Sequence, residues 1–348
     1  MDSSPSRSMT FGGRNYLSIQ GDLLGNREEL GVPEQDEFME RAAPYRAELI
    51  AHCYRMLGSV HDAEDLVQET YLRGWRGYSA FEERAALRTW LYRIATTACL
   101  RALENRARRV LPAGVGLAGD NVSHEAAHEW LEPLPDSYLQ ATPEDIVAAR
   151  ETVRLAVMTA LQELPARQRA VLVLREVVQF SAAEVAELLE TTPAAVNSSL
   201  QRARARLAEV SAGQDRPAEP DDDARRELLD RYCAAFENAD MAALAALLQD
   251  DVRLEMPPMP MWFSGRDAVL GFLTTRAFAP PGDIVMVATA ANDQPAVAEY
   301  RRNTDSIMAA HSIQVLSSVP RSGGAGLAAL TVFLDPTLFP AFGLPLTG

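Results

Sequence analysis

Apolar residues recur at helical spacing through two blocks, 34–109 and 150–210, and the rhythm turns to strand-like alternation after residue 250. In the first block Ala51, Tyr54 and Leu57 share a helical face, and Gly58-Ser59 breaks the run. A second helix is expected from His61 to about Trp75, then a loop from Gly77 to Glu83. Leu87, Leu91, Ile94 and Ala98 mark one face of a third helix over about 84–106. In the second block Pro165 suits the first turn of a helix. Ser181 and Glu184 have capping-box spacing, and Thr192-Pro193 supplies an N-cap and an N1 proline for a helix running to Leu207 or beyond. Helices over 224–249 are followed by strand-like runs at 251–256, 283–289, 295–302, 306–316 and 326–334.

Segments of different composition separate these blocks. Residues 1–33 lack periodicity and read as a flexible tail. Residues 110–149, rich in proline and glycine, read as a linker whose WLEPLPD stretch is apolar enough for Trp130 and Leu131 to dock on a neighbour. A polar linker at 211–221 precedes an α+β domain over 222–348. The expected fold class is thus multidomain, two all-α helical domains followed by an α+β domain.

Charge narrows the function. The 348 residues carry a net charge of −15, which argues against non-specific coating of nucleic acid. The 33 basic residues are all arginine, and seven of them fall between Arg84 and Arg109 against one acid, Glu104. A dense basic segment in an acidic chain points to local phosphate contact. Three cysteines without metal-ligand spacing give neither a disulfide framework nor a zinc site, and no cofactor is expected. The N-terminal segment lacks the apolar core of a secretory signal and no apolar run is long enough to span a bilayer, so a cytoplasmic protein without membrane contact is expected.

Three sets of side chains carry candidate chemistry. The helix pair over 181–207 fits a helix-turn-helix; Asn197, Ser198 and Gln201 are placed for base edges and Arg202 and Arg204 for phosphates. An ordinary amphipathic helix pair would show the same pattern. Asp62, Asp65 and Glu69 line one face of the 61–76 helix, as a solvated stripe or a docking surface. Trp90 and Tyr92 interleave with Arg88, Arg93 and Arg101, which suits stacking on unpaired bases or, equally, a buried tryptophan beside surface arginines.

The ordered blocks DAEDLVQETYLRGWR, RTWLYRIATTACL and LPARQRAVLVLREVVQFSAAEVAELLETTPAAVNSSLQRARARL resemble regions 2 and 4 of the extracytoplasmic-function sigma factors of the sigma-70 family. WLEPLPD, MPPMPMWFSGRDAVLGFL, NDQPA and LFPAFGLP are similar to motifs of the subgroup with a C-terminal SnoaL-like (NTF2-like) domain. The resemblance implies a promoter-specificity subunit whose partners are the bacterial RNA polymerase core and promoter DNA. Asp62, Asp65, Gln68 and Glu69 would meet the β′ clamp helices of the polymerase core, whose β flap is the other expected contact. Arg88, Trp90, Arg93 and Arg101 would capture the opened −10 element, and Asn197, Ser198, Gln201, Arg202 and Arg204 would read the −35 element. Ser198-Ser199 stand where many members carry a basic residue, which weakens the phosphate contact expected there.

The C-terminal domain is then expected to be a cone of helices on a curved sheet around a pocket. Glu255, Trp262, Tyr300 and His311 are its candidate pocket residues, with a small-molecule ligand as a candidate partner. No pair stands at a recognisable catalytic spacing, so the chain is not expected to be an enzyme. From Asp215 onward it has 18 acids and 10 arginines, so an acidic domain tethered to the basic helix could compete with DNA. A stand-alone helix-turn-helix regulator and a bifunctional protein with an enzymatic C-terminal domain are the alternatives.

Overall fold

The computed structural model describes residues 32–81, 86–104, 106, 108–115, 119, 129–139, 152–211, 220–322 and 324–348. Expectations that fall on the tail at 1–31, the loop at 82–85 and the linker stretches 120–128, 140–149 and 212–219 lie outside the described residues.

The first helical domain is built from α1 (Val32–Ala42), α2 (Arg46–Leu57), α3 (Val60–Tyr78) and α4 (Leu87–Leu103). Every residue of α2 from Leu49 to Leu57 is buried, polar His52 and Arg55 included. Such a helix has neighbours on all sides, which an amphipathic pattern alone does not announce. Gly58 ends α2 in the left-handed region, φ +74°, and a Cβ there would lie 2.6 Å from Leu131 Cδ2. This turn therefore needs glycine twice, for its φ and for the close approach of the linker. Ser59 then caps α3 by accepting from the Asp62 amide at 3.1 Å.

The second helical domain comprises α5 (Leu155–Gln162), α6 (Ala166–Leu172) with a π turn over Val173–Val177, α7 (Ala182–Leu188) and α8 (Pro193–Ser211). Pro165 stands one place earlier than expected, as the N-cap of α6. The Ser181–Glu184 capping box is formed in both directions, and Thr192 Oγ1 accepts from the Ala195 amide at 3.2 Å.

The third domain holds α9 (Asp222–Glu237), α10 (Met241–Leu247), α11 (Arg266–Phe272) and strands β1 (Leu248–Glu255), β2 (Trp262–Ser264), β3 (Ile284–Ala291), β4 (Gln294–Arg302), β5 (Met308–Arg321) and β6 (Gly324–Phe333). The strand order is β2-β1-β6-β5-β4-β3, with β1 and β6 parallel and the other pairs antiparallel. β1 begins three residues earlier than the alternation suggested, directly off α10. β2 and α11 come from MPPMPMWFSGRDAVLGFL, whose prolines and clustered apolar residues obscure any period.

Both faces of this sheet are covered. Val297, Leu316, Leu330 and Leu254 pack with Leu228, Tyr232 and Phe236 of α9. On the opposite face Ala296, Ala298, Ile313, Val315 and Phe333 share a core with the helical domains and with Leu338 and Phe339 of the C-terminal segment. The third domain is thus bound into the rest of the protein by an apolar face.

The tip of the β3–β4 hairpin is the polar centre of that contact. Asn292 and Asp293 both take positive φ, 58° and 56°, as a two-residue I′ turn demands. Asn292 is fully buried, and its backbone and side chain exchange hydrogen bonds with Leu134, at 2.9 Å each. Its side-chain nitrogen donates to Tyr54 Oη at 2.7 Å and to the Val153 carbonyl. Tyr54 Oη in turn donates to the Glu132 carbonyl at 2.8 Å. Arg154 pairs with Asp293 at 2.7 Å, and the Asp293 amide donates to Asp136. One side chain thereby joins all three domains and the linker.

Asn292→Ala leaves several buried groups unsatisfied and strains the turn. We expect a loss of about 2–4 kcal/mol on denaturant unfolding, with faster hydrogen exchange at residues 131–134 and 153–155. An unfolding curve that overlays the parent's contradicts this assignment.

Candidate functional site

α3 presents the acidic face. Asp65 and Gln68 are exposed, Glu69 is half-exposed and pairs with Arg73 at 2.7 Å, and exposed Leu72 and Trp75 stand one and two turns on. Asp62 differs from its neighbours. Arg109 Nη2 lies 2.7 Å from its Oδ2, and Arg106 donates to the same oxygen. One carboxylate of the expected docking stripe is therefore engaged within the chain.

α4 presents its arginines in three environments. Arg88 is held by Glu48 at 2.9 Å, with its guanidinium 5.1 Å from the Tyr92 ring centre and 5.4 Å from that of Phe180. Arg93 is exposed and reaches Glu190, in the turn of the helix-turn-helix, at 3.4 Å. Arg101 is exposed beside an open cleft of about 540 Å3 whose other wall is Ala166, Arg167 and Leu188–Glu190. Trp90 is half-buried and stacks on Phe81 at 4.9 Å, so the aromatic reading and the packing reading both describe it.

On α8, Val196, Leu200 and Ala203 are buried, while Asn197, Ser198, Gln201, Arg202 and Arg204 are exposed. Arg202 donates to Ser198 Oγ at 2.7 Å and Ser199 Oγ at 3.1 Å, and Arg204 pairs with Glu176 at 2.6 Å. The five side chains share one solvent-facing surface. The two sets of candidate DNA-binding residues belong to domains that touch through Arg88, Tyr92 and Phe180 and through Arg93–Glu190.

The WLEPLPD segment is the strap between domains. Of the two residues expected to dock, Leu131 is fully buried and Trp130 half-buried, and Leu134 is fully buried as well. Glu132 Oε2 accepts from Ser59 Oγ at 2.8 Å and meets His61 Nδ1 at 3.0 Å, and His61 Nε2 lies 3.1 Å from the Thr337 carbonyl. The Glu132 hydrogen bond outweighs burial and lifts His61 to about 9. Burial opposes the shift of Glu132, but the hydrogen bonds from His61 and Ser59 hold its carboxyl below the usual range.

The pocket candidates divide. Of the four, only His311 lines the cone's cavity, a space of about 50 Å3 whose polar wall also includes Tyr232, Glu299, Arg301 and Gln314. Glu255 instead accepts from the Ala113 amide at 3.0 Å, and burial pushes its carboxyl up. The Trp262 carbonyl accepts from the Gly119 amide at 2.8 Å. Tyr300 points to the opposite face of the sheet, where its hydroxyl donates to Pro345 O at 2.9 Å. Alternation along β4 sends Glu299 and Tyr300 to opposite faces, so choosing the aromatic missed the acid. Glu299 is 1% exposed and accepts from Ser312 Oγ at 2.8 Å and Gln314 Nε2 at 2.6 Å; Tyr232 donates to Gln314 Oε1 at 2.6 Å. Burial lowers His311, which favours its neutral form at this wall.

The picture of an acidic domain lying over the basic helix is not what forms. Arg93, Arg106, Arg108 and Arg109 pair with Glu190, Asp62, Glu163 and Glu129, acids of the helical domains and the linker. The third domain approaches through the apolar sheet face and the hairpin tip instead. Among the described residues no helix is long and apolar enough to cross a membrane, and no cluster of three or more His, Cys, Asp or Glu could hold a metal ion.

Comparison with known proteins agrees with this organisation. The Sigma-70 region 2 model matches residues 42–109, the Sigma-70 region 4 model 154–207 and the SnoaL-like domain model 229–332. The chain is 46% identical over 316 residues to the ECF RNA polymerase sigma factor SigG of Mycobacterium tuberculosis, covering 89% of this chain and 84% of the relative. It is 30% identical over 174 residues to SigW of Bacillus subtilis, covering 50% of this chain and 88% of that one. The crystal structure of M. tuberculosis SigJ superposes with a TM-score of 0.56 at 24% identity, covering 88% of this chain and 99% of that chain, and so shares the fold.

The His61–Glu132 bridge sets a pH dependence. The pKa of His61 is raised on folding, so its stabilisation is complete below the unfolded value of 6.5 and is lost as pH rises through about 9. Glu132 is lowered, so its share is lost as pH falls. Thermal midpoints should fall between pH 6.5 and 9.5 more steeply for the parent than for His61→Gln; parallel profiles would contradict the bridge.

Proposed function

Because this chain belongs to the extracytoplasmic-function RNA polymerase sigma factors, we propose that its three domains divide promoter selection between two reading surfaces and one clasp. Membership makes it an alternative sigma factor, a transcription initiation factor whose partners are RNA polymerase and promoter DNA. The finer assignments are our reading. Asp65, Gln68 and Glu69 of α3, with Asp62 once its arginines release it, dock on the β′ clamp helices, and the second helical domain meets the β flap. Arg88, Trp90, Arg93 and Arg101 hold the opened −10 element. Asn197, Ser198, Gln201, Arg202 and Arg204 read the −35 element in the major groove. The chain supplies sequence readout and a surface that favours unpaired bases, while the polymerase does the chemistry. This work takes place in the cytoplasm, where polymerase and promoter meet, and the SnoaL-like domain acts as a regulator rather than an enzyme.

One observation supports the clasp most directly. The −10 and −35 elements are named for positions about 25 steps apart, roughly 85 Å of duplex at about 3.4 Å per step. The two reading domains touch at Arg93–Glu190, 3.4 Å apart, and the hairpin tip at Asn292 binds α2, the linker and the entry to α5 together. The closed arrangement cannot span a promoter, so the third domain restrains activity by holding the first two together. The closed cone wall around Glu299 and its small cavity support the regulatory reading over turnover of a substrate.

In-vitro transcription with core polymerase tests the reading. Asp65→Arg should reduce core binding by at least about tenfold, as a reversed charge in a contact does. Arg202→Ala should weaken promoter binding while leaving core binding unchanged. Asn292→Ala should raise promoter-specific transcription relative to the parent, and equal or lower output from a folded Asn292→Ala chain would refute the clasp.

A further inference from the structure

The basic segment that follows α4 ends at a cavity that neither reading surface uses. About 180 Å3 of space opens between Arg106, Arg108 and Arg109, the linker residue Glu129, and Gln162 and Arg169 of the second helical domain. Its walls hold hydrogen-bonding atoms that nothing satisfies. Gln162 Nε2 and Arg169 Nε are buried donors without a partner, and Glu129 Oε2 is a buried acceptor without a donor. Gln162 and Arg169 are each 4% exposed. Leaving such groups unpaired is costly, and native structures do it rarely.

Arg169 is unusual in its company. Its Nη atoms donate to the Met56 carbonyl, to Gln162 Oε1 at 2.7 Å, to the Gln162 carbonyl at 3.1 Å and to the Leu164 carbonyl at 3.2 Å, all of them neutral acceptors. Burial without a counter-ion pulls its pKa down to about 10. The other cations here are already matched: Arg108 to Glu163, Arg106 and Arg109 to Asp62. Glu129 Oε2 lies 3.9 Å from Arg109. The site therefore has one buried positive charge, two spare donors and one spare acceptor.

We propose that this cavity binds free hydrogen phosphate. Its oxygens accept from Arg169, Gln162 and Arg108, and its hydroxyl donates to Glu129. The negative charge supplies the counter-ion that Arg169 lacks. Glu129 makes the selection. Sulfate has the same shape and charge but no proton to donate at neutral pH. A backbone phosphodiester has no ionisable hydroxyl. A phosphomonoester, whose second proton leaves at about pH 6, has none at pH 8. Because the walls come from the first helical domain, the linker and the second helical domain, a bound phosphate ties the three together and exists only in the closed arrangement.

Calorimetric titration of the full chain at pH 8 and constant ionic strength tests this, with inorganic phosphate, sulfate, methyl phosphate and dimethyl phosphate as probes. We expect one saturable phosphate site, with the other three probes at least about tenfold weaker. Arg108→Ala should weaken phosphate by a similar factor, whereas Arg231→Ala, on α9, should not. Glu129→Gln should remove most of the preference for phosphate over sulfate. The proposal is overturned if phosphate gives no saturable heat, as a water-filled cavity would. It is also overturned if sulfate binds the parent chain equally well, or if Arg108→Ala and Arg231→Ala lose affinity alike.

Discussion

A buried asparagine amide at the tip of one hairpin holds the arrangement on which the other features depend. Asn292 reaches Tyr54 of the first helical domain, Leu134 of the linker and Val153 at the entry of the second. Each partner is a backbone or hydroxyl group that loses a hydrogen bond if the hairpin withdraws, and because one side chain makes all of these bonds they are lost together. The apolar sheet face around it supplies the bulk of the attraction, and the amide sets the register. That combination suits a switch: a large but non-directional interface positioned by a few polar bonds that a competing partner can replace.

Electrostatics reinforces the closed state without contribution from the net charge. The chain is strongly acidic, yet the arginines after α4 are neutralised locally, by Asp62, Glu163 and Glu129. Asp62 shows the consequence. It lies on the stripe proposed for polymerase docking and is also the anchor for Arg106 and Arg109. Under that proposal partner binding and internal packing would draw on the same carboxylate, coupling the docking of the polymerase to the release of the basic segment.

The two helical domains were legible because their signals are local. The capping box at Ser181, the Thr192 cap and the Gly58-Ser59 break each act within four residues, and each forms as expected. The order of the motif blocks likewise identified the family before any geometry. What was not legible depends on long-range contact. β2 and α11 lie in a segment without a period, and the shared core between sheet and helices joins residues more than two hundred positions apart. The pocket shows this most clearly. Glu255, Trp262 and Tyr300 were reasonable candidates by type, but they serve the linker and the C-terminal segment. Glu299, which alternation allowed on either face, is the buried acid of the cavity. Asn292 sat within a motif whose family resemblance was visible and whose physical role was not.

On the proposed mechanism, promoter engagement requires the two reading domains to part. Pulsed electron-spin measurements of the distance between labels on exposed positions of α3 and α8 would follow this parting, in the free chain and in the complex with core polymerase and promoter DNA. A single short distance is expected in the free chain, with a shift to a separation several times longer in the complex. An unchanged distance in a transcriptionally active complex would contradict it.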